Sequence, residues 1–143
     1  MKRFKLVMAL LISYVIGIYA QQDFSDYWTR NTESSSFTLN ITQIGDSIKG
    51  SICAVIHNGD FIDCAAGEED EGFISVKGTV SGNIATVDFF SSYASGWGIN
   101  TAWGKATITK ISDTQIKWEI TVEPSGGTCF IPSESVLTNQ TEE

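Results

Sequence analysis

Basic residues are scarce in this chain. Nine Lys and Arg stand against seventeen Asp and Glu, and three of the nine, Lys2, Arg3 and Lys5, fall within the first five residues. An acidic field of this size repels phosphates, so nucleic acid and anionic membrane surfaces are excluded as partners. A cationic partner or a divalent metal is compatible with the charge but not required by it. Histidine is rarer still. His57 is the only one, and with three scattered cysteines it makes no zinc-ligand spacing. It lies near Asp60, a pairing suited to acid–base chemistry, yet no serine or free thiol is tied to it by spacing. We therefore expect a solvated histidine beside a turn, no catalytic residue, no metal and no cofactor. Long apolar runs are missing after residue 20, and no stretch shows sustained helical periodicity.

The one long apolar run opens the chain. Leu6–Ala20 is apolar apart from Ser13 and follows the basic start, with small Ala20 before polar Gln21. The pattern is that of a secretory signal peptide, and the run is shorter than the roughly 20 residues a spanning helix needs. Ile18 departs from it, standing where a small residue is usual three positions before the cut. No cysteine follows the run, which excludes a lipoprotein anchor. Removal of residues 1–20 leaves six basic residues against seventeen acidic ones, a net charge of −11. The remaining 123 residues suffice for one domain with a core. We expect a barrel domain over 21–137 and a polar, mobile tail over 138–143, in a secreted or periplasmic protein.

What fills the mature chain is period-two alternation. The richest stretch is Ser47–Ala65, where two strand-like runs flank Asn58-Gly59, a strong hairpin signal because both residues tolerate positive φ. Counting outward places Cys53 opposite Cys64, and export to an oxidising space favours a disulfide there, leaving Cys129 as a buried thiol or an intermolecular partner. A two-residue turn would put that pair at the wider, hydrogen-bonded position unless a bulge or longer loop intervened. Upstream, Phe37, Leu39 and Ile41 alternate with Thr38, Asn40 and Thr42. A turn at Ile44-Gly45 would pair Ile41 with Ile48, Leu39 with Gly50 and Phe37 with Ile52. Further on, a Gly82-Asn83 turn sets Lys77 opposite Asp88, an outer ion pair, and Thr79 opposite Thr86. In the last long hairpin a three-residue loop, Ser112–Thr114, aligns Ile108 with Trp118, Ala106 with Ile120, Gly104 with Val122 and Thr107 with Glu119.

Three glycines, Gly50, Gly78 and Gly104, sit on the apolar face of the first strand of successive hairpins. Glycine weakens a strand. Its repeated inward placement is explained by tight coiling into a closed barrel, where backbones approach and larger side chains collide. A first strand near Phe24–Arg30 brings the count to about eight, at which a barrel interior is filled by side chains or holds one small ligand. Cys129-Phe130-Ile131 is a candidate for completing closure. The fold class is all-β, a single antiparallel up-and-down barrel.

The pattern Tyr27-Trp28, then F-x-L-x-I-x-Q-x-G-D-x-I-x-G over Phe37–Gly50, then successive hairpins, resembles the calycin architecture of lipocalins and avidins. The hairpin G-S-x-C…G-x-x-I-D-C, at Gly50–Cys53 and Gly59–Cys64, is similar to that of small exported bacterial proteins. A lipocalin carries Gly-x-Trp in its first strand, and Asp26-Tyr27-Trp28 lacks the glycine. Avidin's biotin-binding side chains find no counterpart here, so biotin binding does not follow.

Four features are candidates for function. Asp63 falls on the apolar face of Ile52, Ala54 and Ile56, where a buried carboxylate costs several kcal/mol unless paired. A bulge turning it outward, a place at the wet rim, or a polar contact inside a ligand cavity would each resolve this. Tyr93, Trp97 and Trp103 cluster in a glycine-rich connection that suits recognition of a sugar, an apolar ligand or a protein, or plugs the barrel end. Trp28 and Trp118 read as core, and Asp63 or Trp118 would line any interior cavity. Glu68–Glu71 form an acidic connection without calcium-ligand spacing, either solvated, a weak divalent site, or a docking patch for a basic partner. Asn40 and Asn139 head glycosylation triplets, Asn40 in mid-strand. The reading is a non-enzymatic binding protein for an unknown small ligand or protein at a barrel end, or alternatively an inhibitor or immunity-type protein that blocks an exported enzyme through a loop. Alkylation of the unreduced, unfolded protein followed by mass analysis should modify one thiol, Cys129; three modified thiols would refute the Cys53–Cys64 pairing.

Overall fold

The computed structural model describes residues 21–64 and 74–139, apart from the side chains of Trp97 and Ile99. The expected signal peptide, the acidic residues Glu68–Glu71 and the last four residues lie outside that part. Nine strands are described: β1 (Asp26–Asn31), β2 (Ser36–Ile44), β3 (Ser47–Ile56), β4 (Phe61–Cys64), β5 (Val76–Ser81), β6 (Ile84–Phe90), β7 (Trp103–Ser112), β8 (Gln115–Val122) and β9 (Glu134–Asn139). Eight of them close into one antiparallel barrel in the order β2-β1-β9-β8-β7-β6-β5-β3, and β3 returns to β2. The remaining strand, β4, pairs with the far half of β3 and stands beyond the closed ring. Among the described residues no helix is long and apolar enough to cross a membrane.

The hairpin registers follow the alternation, with three corrections. β2 pairs with β3 as Leu39↔Ile52 and Ile41↔Gly50, two residues from the expected register. The turn is Gly45-Asp46, because Gly45 supplies the positive φ (63°) that a two-residue hairpin turn needs. A shift of two preserves which face each side chain takes, so the core is unchanged. In the β5–β6 hairpin Lys77↔Asp88 and Thr79↔Thr86 are opposite as expected. Asp88, however, pairs with Lys105 on its other neighbour, at 2.7 Å, and Lys77 lies over the Trp103 ring. The β7–β8 hairpin keeps Ile108↔Trp118, Ala106↔Ile120 and Thr107↔Glu119. Its odd count is made from a two-residue turn, Asp113-Thr114, plus an irregularity at Ile111, not from a three-residue loop. A second irregularity after Lys105 pairs Lys105 rather than Gly104 with Val122, and turns Val122 outward, 52% exposed.

Closure is made by β9, not by Cys129–Ile131. Glu134–Asn139 lies between β1 and β8, with Leu137 fully buried, so the chain expected to run free from residue 138 is strand through Asn139. Among the described residues two pairs join β9 to β1, Trp28↔Asn139 and Thr29↔Thr138. Asn139 reinforces this short seam by donating its amide to Asp26 Oδ2 (2.8 Å) and to the Asp113 carbonyl (3.2 Å).

The glycines mark where strands nearly touch. A Cβ on Gly50 would lie 1.9 Å from the Asn40 carbonyl oxygen, one on Gly78 2.0 Å from that of Thr86, and one on Gly104 2.6 Å from that of Val122. No rotamer relieves a clash with backbone. The interior enclosed by this coiling is occupied by side chains: Trp28, Leu39, Ile52, Val87, Phe89, Ile108 and Trp118 are all at most 2% exposed. Trp118 meets Phe89 and Phe37 edge-on, with ring centroids 5.2 and 5.7 Å away, and donates its indole N–H to the Pro132 carbonyl. At one end Phe24 tucks under the barrel, its N–H held by the Gln43 side chain and its carbonyl by the Trp28 indole. We predict that Gly78→Ala lowers stability by about 3 kcal/mol, a fall of roughly 10 °C in Tm. Gly96→Ala, whose Cβ would meet nothing within 4 Å, should leave Tm unchanged. Equal melting curves for the two variants would contradict the close-approach account.

Candidate functional site

The end of the barrel opposite Phe24 gathers four loops: the β1–β2 turn, the β3–β4 hairpin loop, the β6–β7 connection and the β8–β9 connection. The β3–β4 loop spans four residues, His57–Asp60, rather than two. His57 and Asn58 take left-handed backbone (φ 52° and 58°), as does Gly59 (φ 101°). The longer loop changes the phase of pairing, so Cys53 and Cys64 face each other with Cα atoms 4.2 Å apart, the spacing of a narrow, non-hydrogen-bonded pair. The two form the expected disulfide, in keeping with an oxidising compartment. The Asn58 N–H reaches the Ser34 carbonyl (2.9 Å) and ties the loop to the β1–β2 turn.

Asp63 is not turned outward. It is 1% exposed and its carboxylate is fully engaged by the protein. The Ser91 hydroxyl donates to Oδ2 (2.6 Å) and the Phe130 N–H to the same oxygen (3.0 Å). The Ser92 N–H (2.7 Å) and hydroxyl (3.0 Å) donate to Oδ1. Four donors compensate a buried carboxylate, and they come from two connections, Ser91 and Ser92 from β6–β7 and Phe130 from β8–β9. A second buried serine solves a local problem of the same kind. β3 changes partner between Gly50 and Cys53, and the Ser75 hydroxyl accepts the Ile52 N–H (2.8 Å) left between the two ladders.

Over this anchor lies a group of rings. Phe61 stacks on Phe130 (4.6 Å between centroids), Tyr93 meets Phe130 edge-on (4.7 Å), and His57 touches Phe61 edge-on (5.9 Å). Tyr93 is 42% exposed, His57 is exposed, and Phe61 and Phe130 are half-buried. Of the expected aromatic trio, two side chains can be placed. Tyr93 joins this group; Trp103 lies on the outer wall between Phe90 (5.5 Å) and Lys77, and the Trp97 side chain is outside the described part. Trp118 is fully buried in the core. Phe61 and Phe130 escaped sequence reading because they are 69 positions apart and belong to no motif; the G-S-x-C…I-D-C hairpin, which contains Phe61, was the one available signal.

No family model, curated protein or solved structure matches this chain. Function must therefore be read from the site alone. Among the described residues no three His, Cys, Asp or Glu side chains converge as a metal site would require. Cys129 is a free thiol, half-buried, and burial raises its pKa above the ordinary thiol value, with the neighbouring Asp63 and Glu123 charges adding to the effect. Such a thiol is a poor nucleophile at neutral pH. Two surface depressions, one lined by Gln22, Asn83, Lys110 and Ser112 and one by Thr42, Ile44 and Lys49, lie toward the opposite end.

Replacing Asp63 tests the anchor. Asp63→Ala leaves two half-buried backbone N–H groups and the Ser91 hydroxyl without their acceptor, and should cost about 3 kcal/mol in urea unfolding. Asp63→Asn recovers only part of this, since its amide must aim a donor at one of those N–H groups. Amide exchange at Ser92 and Phe130 should accelerate in both variants; unchanged protection there would show that the carboxylate is dispensable.

Proposed function

We propose that this chain is an exported, non-enzymatic binding protein whose recognition surface is the barrel end bearing His57, Phe61, Tyr93 and Phe130, and that it binds another protein there. The observation that carries the reading is the filled barrel. Phe89 and Phe37 both pack against Trp118 at its centre, so the interior is taken up by side chains where a lipocalin-type carrier would hold its ligand. Recognition is left to the outside, where partly exposed rings on anchored loops supply contact area with little ordering cost. The closed eight-strand plan still resembles the calycins, but as a scaffold for loops rather than as a container.

The inhibitor or immunity-type reading is a special case of the same proposal. It is favoured by one feature: β4 and the His57–Asp60 loop stand beyond the closed ring, positioned to enter a groove on a partner. In either case the lone histidine serves as contact surface against Phe61 rather than as an acid or base.

Two measurements test this. Native mass spectrometry of protein purified from its host should give the mass of the bare chain; a stoichiometric small molecule would overturn the reading. Cross-linking in the exported fraction should trap a protein partner whose yield falls at least tenfold with Tyr93→Ala and with Phe61→Ala, while both variants melt cooperatively. A partner retained undiminished by Tyr93→Ala would place recognition elsewhere.

A further inference from the structure

Resting on the reading above, we infer that the protein partner adds an extended segment of its own chain to the outer edge of β4, as one further strand. Among the described strands β4 alone has a neighbour on one side only; every other is paired on both. The alternation of the ladder fixes where its backbone groups point. Cys53↔Cys64 is a narrow pair, so Val55↔Ile62 is another, and Ala54↔Asp63 and Ile56↔Phe61 are the pairs that exchange hydrogen bonds. The backbone groups of Phe61 and Asp63 therefore face β3. Those of Ile62 and Cys64 face away from it, and no described residue hydrogen-bonds to them.

Two N–H and two C=O groups, on residues about 7 Å apart along the strand, match alternate residues of another extended chain. Natural edges are blunted by lysine, proline or a bulge, and Phe61–Cys64 contains none of these. The edge is also held in place before any partner arrives. The Asp63 carboxylate and the Cys64 disulfide fix consecutive residues of β4, so a strand added here requires little ordering of this chain. Incoming side chains opposite Ile62 and Cys64 fall on the outer face, beside Ile62 (52% exposed), half-buried Val55 and the disulfide. That surface is apolar, and the added segment is accordingly apolar at alternate positions. On the inner face Phe61 begins the ring group, which makes edge and rings one continuous surface. A second copy of this chain presents the same edge, but the acid excess of each copy opposes pairing over so short a ladder.

In the free protein the Ile62 and Cys64 amides should exchange with solvent faster than those of Phe61 and Asp63, whatever the protein concentration. Protection of both in the free chain would mean that residues 65–73 cover the edge, and protection that grows with concentration would mean that a second copy does; either overturns the inference. The probe is a capped peptide of alternating threonine and valine, titrated into isotopically labelled protein. It should shift the Ile62 and Cys64 amide resonances and slow their exchange, and the same peptide N-methylated at alternate residues should do neither. An equal response to the two peptides would overturn the inference. Ile62→Pro deletes an N–H that bonds to no described residue, and so should leave melting cooperative. It should lower the yield of the cross-linked partner about tenfold, whereas Ile62→Val keeps that yield. If the proline variant fails to fold, an ester in place of the Ile62 amide removes the same N–H and leaves the side chain intact. A partner that depends on Tyr93 but is captured undiminished by these backbone variants would overturn the added strand and leave the recognition end in place. A partner indifferent to Tyr93 would remove the underlying reading itself.

Discussion

The Asp63 carboxylate holds together parts of the chain that the barrel does not. Closure of eight strands accounts for the wall, but β4, the β6–β7 connection and the β8–β9 connection all lie past its rim. They converge on one buried charged group that accepts from Ser91, Ser92 and Phe130. Hydrogen bonds to an ionised acceptor contribute about 1.5–3 kcal/mol each, and the cost of burying the charge is recovered only while all four donors are present. The arrangement is therefore cooperative. Other contacts complete the interlock: the Ser125 and Gly126 N–H groups both reach the Thr101 carbonyl. What results is a set of loops with a fixed shape, on which Phe61, Tyr93 and Phe130 can be held partly exposed.

The wall itself depends on close backbone approach. At Gly50, Gly78 and Gly104 neighbouring strands come near enough that a methyl group would collide with a carbonyl. This is the geometry of a strongly coiled sheet, and it keeps the enclosed space small enough for side chains to fill. Trp28, Trp118 and Phe89 occupy it. A barrel with larger residues at those positions would be forced wider, with space inside. Filling and coiling are thus one property, and it moves recognition from the interior to the end.

The disulfide and the acidic balance both act on that end. Cys53–Cys64 clips β4 to β3 where β3 has already left β5, so the overhanging hairpin cannot peel away while the bond is intact. The loops at the same end carry carboxylates and no amines, while the basic residues of the mature chain sit on strands. Exposed rings and exposed acids thus share an end whose loops contain no Lys or Arg.

The alternation of apolar residues was enough to determine the all-β class, the inward set from Phe37 to Trp118 and the pairing of Cys53 with Cys64, because side-chain direction in a strand has period two and survives a shift of two in register. That is why the β2–β3 register could be misplaced and the core still read correctly. Bulges do not announce themselves in such a pattern: those near Ile111 and Lys105 change a count by one, and only the folded ladder shows where the extra residue sits. β9 was hidden for a related reason. Ser135, Leu137 and Asn139 face inward with one apolar residue among them, too weak an alternation to stand out from a polar tail. Asp63 was legible as an anomaly but not as an anchor, since its donors come from 28 to 67 positions away. Local sequence dictates which way a side chain points; the meeting of distant loops over one carboxylate is a property of the closed barrel, because only closure brings their ends to the same rim.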